Sequence, residues 1–168
     1  RWNRLSSGSE FSPEFPRPVV ALFNWAFGAV MLLALLQLAL DAGLIVAAVI
    51  HGGFVGAPDG VRYALAGVAA AAAAIGVHQA MRIPPLKDVE VAIRGLPPEF
   101  DGYTILQLTD LHISRLFPAS WAREVVARSN KLDVDLIAIT GDLIDGSIDA
   151  RRNDIAPLQD LMAADGSE

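Results

Sequence analysis

The chain has 168 residues, about the length of one domain, but its composition is not that of one soluble domain. Hydrophobic residues make up 53% and charged residues 19%, the mean hydropathy is +0.41, and there is no cysteine. These values exclude a disordered chain, a disulfide-stapled secreted domain and a zinc module with cysteine ligands. Residues 1–82 carry five basic and four acidic side chains, whereas residues 83–168 carry eight basic and fifteen acidic ones, so nucleic acid is not an expected partner.

A polar segment of residues 1–18 precedes residues 19–82, which have the composition of a membrane region. No Lys or Arg interrupts residues 19–50, and a helix of that length would reach roughly 48 Å, against about 30 Å for the hydrocarbon core of a bilayer. We expect one helix that crosses between about residues 20 and 40 and continues past Asp41. The alternative is two short helices that turn back at Asp41. The strongly polar side chains of this run are Asn24, Gln37 and Asp41.

A second apolar run, Tyr63–Met81, follows a loop rich in Gly and Pro and includes six consecutive alanines. A buried soluble helix would explain this run as well, but its place after a convincing span favours a membrane hairpin of two helices, with three as the alternative. Basic residues are concentrated at the outer ends of the pair, so the positive-inside rule favours a cytoplasmic location for both ends. They are Arg1, Arg4 and Arg17 before the hairpin and Arg82 and Lys87 after it, with Arg62 in the connection.

Residues 83–102 are predicted to be a linker with an edge strand at 89–93, where apolar and other residues alternate. Residues 103–168 then alternate between strand and helix patterns, which predicts an α/β fold with a parallel sheet. The predicted elements are strands at 103–109 and 135–140 and helices at 118–130 and 155–164, the last closed by Gly166.

The two predicted strands end in residues that suit a metal site. Asp110 and His112 follow the first strand, and Gly141 and Asp142 follow the second. Because the carboxyl ends of parallel strands meet at one edge of a sheet, these side chains should converge there, with Gly141 allowing a sharp exit. Mixed nitrogen and oxygen ligands suit Mn, Fe or Zn better than Ca or Mg. Aspartates after strands are also common as turn formers, and Asp145 fits such a role as well as a role in the site.

Other charged residues of this half have simpler interpretations. Asp133 and Asp135 are expected at the boundary of the second strand. Arg151 and Arg152 lie where they could reach an anionic substrate, but a solvated helix start explains them too.

Two segments, Ile105–His112 (ILQLTDLH) and Asp135–Asp145 (DLIAITGDLID), resemble the opening of the calcineurin-like metallophosphoesterase family. The resemblance is nearest to its membrane-anchored bacterial branch and covers about half of the chain. It implies transmembrane helices followed by the first half of a four-layer αββα sandwich, so residues 103–168 would be a partial phosphoesterase domain. It also implies a centre of two divalent metal ions, Mn, Fe, Zn or Ni. Asp110 and His112 would be ligands of the first ion, and Asp142 would bridge both, with Gly141 and Asp145 in support.

The resemblance further implies a phosphoesterase in the bacterial inner membrane that acts on phosphomonoester, phosphodiester or pyrophosphate bonds. Its partners would be the lipid bilayer and a phosphate-ester substrate, for which the membrane anchor suggests a lipid-linked molecule. The alternative is a catalytically inactive, membrane-tethered binding or scaffold module. The sequence leaves the oligomeric state open.

The family pattern continues with a Gly-Asn-His-Asp or Gly-Asn-His-Glu segment, a further histidine and a Gly-His-x-His segment, and this sequence has none of them. We therefore expect a piece of a longer protein that is inactive alone and forms at most a one-metal site. We also expect the apolar face of its two strands to be exposed and prone to association.

Overall fold

The structure is a computed structural model that describes residues 14–164. Most of the predicted polar segment, residues 1–13, and the predicted helix-closing Gly166 lie outside the described residues. The chain divides into two compact units. One is a helical unit, Arg17–Arg82, and the other is an α/β unit whose described residues are 14–16 and 83–164.

The helical unit consists of α1 (Arg17–His51) and α2 (Asp59–Ala80), which pack against each other. Both helices are long and apolar enough to cross a membrane. Small side chains allow a close approach, since a Cβ added at Gly28 would lie 3.5 Å from the Cβ of Ala73. The described residues thus contain two candidate spans rather than three.

Helix α1 runs without a break through the position where the alternative of two short helices placed a turn. Asp41 lies inside it, and its Oδ1 accepts a hydrogen bond of 2.7 Å from Gln37 Nε2. The same oxygen lies 3.8 Å from Arg62 Nη2 of α2. One continuous helix is therefore correct, and the polar side chain that made a turn plausible is instead paired within the hairpin.

The α/β unit contains β1 (Ile105–Thr109), α3 (Ala119–Ser129), β2 (Leu136–Thr140) and α4 (Ile148–Ile155). The strands form a parallel pair, with Ile105 opposite Leu136 and Thr109 opposite Thr140. Asp135 fastens the beginning of this pair, since its Oδ2 accepts hydrogen bonds of 2.7 Å from both N and Oγ1 of Thr104. Strand, helix, strand is the predicted order.

Parallel pairing continues beyond the ends of the two strands. His112 N donates to the carbonyl of Asp142 over 3.1 Å, and Ile113 forms a parallel bridge with Ile144. Asp145 N then donates to the carbonyl of Ile113 over 3.0 Å. The two loops that follow the strands are thus held side by side by backbone hydrogen bonds.

The core of the α/β unit lies between the loop after β1 and helix α3. Leu111, Ile113 and Ala122 are buried there, and Ile113 and Ala122 are fully excluded from solvent. Ile105 and Leu136, which lie opposite each other in the strand pair, are exposed, as expected for the apolar sheet face, while association through that face stays a prediction. The core is completed by the partly buried side chains of Leu108, Trp121, Leu143, Ile144, Ile155 and Leu158.

The predicted edge strand at 89–93 is wrong, because this segment has no regular secondary structure. Val89 and Val91 are each 69% exposed. An alternating segment forms a strand only where a neighbouring strand supplies hydrogen bonds. In the described residues β1 and β2 pair with each other, and neither pairs with residues 89–93.

The predicted helix at 155–164 is also wrong, since α4 ends at Ile155 and a short 3-10 helix, Ala156–Asp160, follows. Pro157 explains the end of α4, because it has no N–H group and its ring is incompatible with a helix interior. Ser147 explains the beginning, because its hydroxyl accepts a hydrogen bond of 3.3 Å from Ala150 N.

We predict that Ile113→Ala destabilises the α/β unit by about 2–5 kcal/mol, because it leaves a cavity at a fully buried position. The measurement is urea unfolding of the full chain in detergent, followed by tryptophan fluorescence. Ile139→Ala is the matched control, since Ile139 is 44% exposed and its loss should cost about 1 kcal/mol or less. Equal losses in the two variants would contradict the position assigned to this core.

Candidate metal centre

The candidate site is formed by the residues that directly follow β1 and β2. Asp110 and His112 have φ angles of 51° and 44°, and Gly141 has a φ of 70°. The left-handed conformation is uncommon for residues other than glycine, and such residues cluster at functional sites. These angles turn both loops sharply at the edge of the sheet.

Asp110, His112 and Asp142 lie together at this edge. Each offers one ligand atom, and these atoms are all within 4.8 Å of one another. The two aspartates are exposed and His112 is partly buried, so an ion could reach them from solvent. Two carboxylates and an imidazole are a donor set that fits one divalent transition metal or zinc ion.

Gly141 is required by the close approach of the two loops. A Cβ at this position would lie 2.3 Å from Oδ1 of Asp110 and 2.8 Å from its Cγ, both impossible for non-bonded atoms. The absence of a side chain lets the Asp110 carboxylate face the second loop. Asp142 N then donates to Oδ1 of Asp110 over 3.1 Å.

Hydrogen bonds keep the Asp110 carboxylate ionised. The hydroxyl of Thr109 donates to Oδ2 over 2.7 Å, and together with the N–H of Asp142 it lowers the pKa of Asp110. A deprotonated carboxylate is the form that binds a metal ion.

His112 is oriented by Asp145. Their Nδ1 and Oδ1 atoms are 2.8 Å apart, and this hydrogen bond raises the pKa of His112. With Nδ1 engaged by a carboxylate, Nε2 is the ring nitrogen available to an ion, an arrangement common among metal-binding histidines. The sequence left open whether Asp145 forms a turn or belongs to the site, and the structure places its carboxylate against His112.

Of the other charged residues that the sequence singled out, three lie where it predicted and Arg151 does not. Asp135 lies at the start of β2 and Asp133 before it, as predicted. Arg152 is solvated, with an ion pair to Asp149. Arg151, in contrast, is fully buried behind the loop of Asp145, which neither sequence interpretation anticipated.

An exposed Asp–His–Asp cluster at the carboxyl edge of a parallel strand pair is typical of metal-dependent enzymes of the α/β class. No protein-family model matches this chain, and no solved structure matches it. Curated proteins do match.

A transmembrane protein with metallophosphoesterase domain from Danio rerio is 29% identical over 100 residues, which is 60% of this chain and 23% of that protein. A protein of the same description from Bos taurus is 30% identical over 93 residues, 55% of this chain and 21% of that protein. An uncharacterized metallophosphoesterase from Helicobacter pylori is 28% identical over 92 residues, 55% of this chain and 24% of that protein.

These relatives, 28–30% identical over roughly half of this chain, support the metallophosphoesterase family. The matched part of the chain spans about a quarter or less of the length of these relatives. Since the relatives include vertebrate and bacterial proteins, the bacterial branch stays a prediction.

We predict that Gly141→Ala weakens Mn²⁺ binding by at least about tenfold, because the new Cβ displaces the Asp110 carboxylate. Isothermal titration of the full protein measures this. Gly95→Ala is the matched control, because Gly95 also has a left-handed φ, of 80°, but nothing lies within 4 Å of the added Cβ. An unchanged affinity in Gly141→Ala, or an equal loss in the control, would contradict the close contact.

We predict that Asp145→Asn lowers the pKa of His112, because it removes the carboxylate that favours the imidazolium. The chain has three histidines, so NMR titration of the metal-free protein can follow His112. A metal ion must displace the proton, so affinity in the unchanged protein should fall as pH decreases through the raised pKa. Asp149→Asn, four residues away at an exposed position, should leave the titration unchanged. A His112 titration that is the same in Asp145→Asn would rule out this pairing.

Proposed function

We propose that the complete protein is a membrane-anchored, metal-dependent phosphoesterase that hydrolyses phosphomonoester, phosphodiester or pyrophosphate bonds. The observation that carries this proposal is the convergence of Asp110, His112 and Asp142 at the carboxyl edge of β1 and β2. The relatives, which are described as metallophosphoesterases, support the reaction class.

Asp110 and His112 would hold one divalent ion, Mn, Fe, Zn or Ni, and Asp142 would bridge it to a second. When bound, such ions polarise a phosphoryl group and lower the pKa of a coordinated water. Asp110 contributes a carboxylate that is already ionised, and Asp145 holds the imidazole of His112 in one orientation. The remaining ligands of the second ion would come from elsewhere in the complete protein.

The two apolar helices would anchor the enzyme, in a bacterial inner membrane, with the α/β unit on the cytoplasmic side. An anchor keeps an active site near the bilayer surface, so we propose a lipid-linked phosphate ester as substrate. The concentration of basic residues at the outer ends of the hairpin supports the proposed orientation.

We predict that Asp142→Asn reduces the metal content of the complete protein from about two ions per chain to nearly none and abolishes phosphodiester turnover. The substitution keeps the backbone N–H that holds Asp110 and removes only the charge. His112→Ala should mainly remove one ion. Metal analysis and hydrolysis of a generic phosphodiester are the measurements.

Asp149→Asn is the control, because Asp149 is solvated and pairs with Arg152 rather than with a residue of the cluster. Two ions retained in Asp142→Asn would contradict the bridging role. A complete protein that binds metal but hydrolyses no phosphate ester would instead support the inactive scaffold.

A further inference from the structure

Arg151 is a buried cation behind the candidate metal centre. Its side chain is 0% exposed, and its three nitrogens contact different groups. Nε donates to the carbonyl of Asp145 over 2.9 Å, and Nη1 donates to Asp154 Oδ2 over 3.2 Å. Nη2 pairs with Glu14. A guanidinium excluded from water is stable only if its charge and its N–H groups are satisfied, so these partners decide whether it stays in place.

Glu14 is the partner that comes from farthest away in sequence. It lies three residues before the first membrane helix and 137 residues before Arg151. Its Oε1 contacts Arg151, and its Oε2 accepts a hydrogen bond of 2.7 Å from Arg115 Nε. The Glu14 side chain is only 12% exposed. With Asp154, the four side chains contain two positive and two negative charges, and loss of Glu14 would leave one positive charge without compensation.

Asp145 connects this cluster to the site. Its carbonyl accepts from Arg151, its N–H donates to Ile113, and its carboxylate holds the ring of His112. A shift of Arg151 would therefore move the residue that orients a candidate metal ligand. Outer partners of this kind tune metal affinity without touching the ion.

We propose that Glu14 is a positioning residue of the candidate metal centre, acting through Arg151 and Asp145 on His112. The residues just before the first membrane helix would then be an integral part of the α/β unit and lie on the same membrane face. The effect on metal binding rests on the proposed function, whereas the shared membrane face does not.

The first experiment measures Mn²⁺ affinity of the complete protein in nanodiscs. Glu14→Gln keeps the size of the side chain and removes its charge, and should weaken Mn²⁺ binding by about tenfold. Glu14→Asp keeps the charge and should restore part of the affinity. Glu124→Gln is the matched control, because Glu124 is 54% exposed and pairs with Arg128 on the surface of α3. Unchanged affinity in Glu14→Gln, or an equal loss in the control, would overturn the proposal.

A merely structural role would change stability and leave the metal site of the folded protein intact. Affinity is therefore measured at a temperature where circular dichroism of metal-free Glu14→Gln matches that of the unchanged protein. If Glu14→Gln does not fold, Arg115→Gln replaces it, since this change removes only the outer partner of Glu14. Arg115→Gln should weaken Mn²⁺ binding in the same direction, and wild-type affinity in it would overturn the proposal.

The second experiment tests the shared membrane face, and the absence of cysteine from the chain removes background labelling. Single cysteines replace Pro16, Asp88 and Gly56, and an impermeant maleimide is applied to intact and permeabilised cells. Positions 16 and 88 should react from the same side and position 56 from the other. Opposite sides for 16 and 88 would overturn the proposal.

The two experiments separate the possible failures. If the unchanged protein binds no Mn²⁺ but positions 16 and 88 share a face, the proposed function and the positioning role both fail, and the structural pairing of Glu14 stands. If Mn²⁺ binds and Glu14→Gln has no effect, the positioning role alone fails.

Discussion

Parallel pairing between β1 and β2 is the constraint on which the candidate metal centre depends. The register that places Thr109 opposite Thr140 brings Asp110 beside Gly141, the next residue of each segment. A shift by one residue would reverse the faces of the side chains and separate the potential ligands. The same register explains the glycine, since a Cβ at position 141 would collide with the Asp110 carboxylate. One ladder of backbone hydrogen bonds therefore determines which side chains meet and which position must be a glycine.

The sequence was sufficient to predict the elements that such local rules control. Both strands, helix α3 and the two apolar helices follow from hydrophobic periodicity and length, and the structure has them within a few residues of the expected bounds. The convergence of Asp110, His112 and Asp142 was predictable for the same reason, because parallel strands share a carboxyl edge. The errors came where a pattern has two explanations. Alternation at 89–93 lacked a pairing strand, and Pro157 interrupted an apolar run that otherwise suited a helix.

The partners of the site could not be predicted, because they depend on tertiary contacts without a local signal. Asp145 has the same sequence context whether it forms a turn or holds His112. Arg151 is one of two adjacent arginines within α4, and only the folded chain distinguishes the buried one from the solvated one. Glu14 belongs to a segment that the composition assigns to the polar start of a membrane protein, and its pairing with Arg151 spans 137 residues. Charge composition alone cannot report such a pairing.

The contacts of Asp145, Arg151 and Glu14 explain how the exposed metal-ligand cluster keeps its geometry. Asp110 and Asp142 have little protein around them, so packing cannot hold them. The positions of these side chains are instead fixed by the backbone and by contacts on the buried side of the loops. These are the hydrogen bonds that extend the strand pairing, the left-handed residues that fix the turns, and the contact of Arg151 with the Asp145 carbonyl. The buried guanidinium suits this task because its planar group donates in three directions at once, which a lysine could not do with the same rigidity. An open face for an ion and its substrate is thus compatible with order, provided that the charge of the supporting cation is neutralised on the far side, where Glu14 and Asp154 lie.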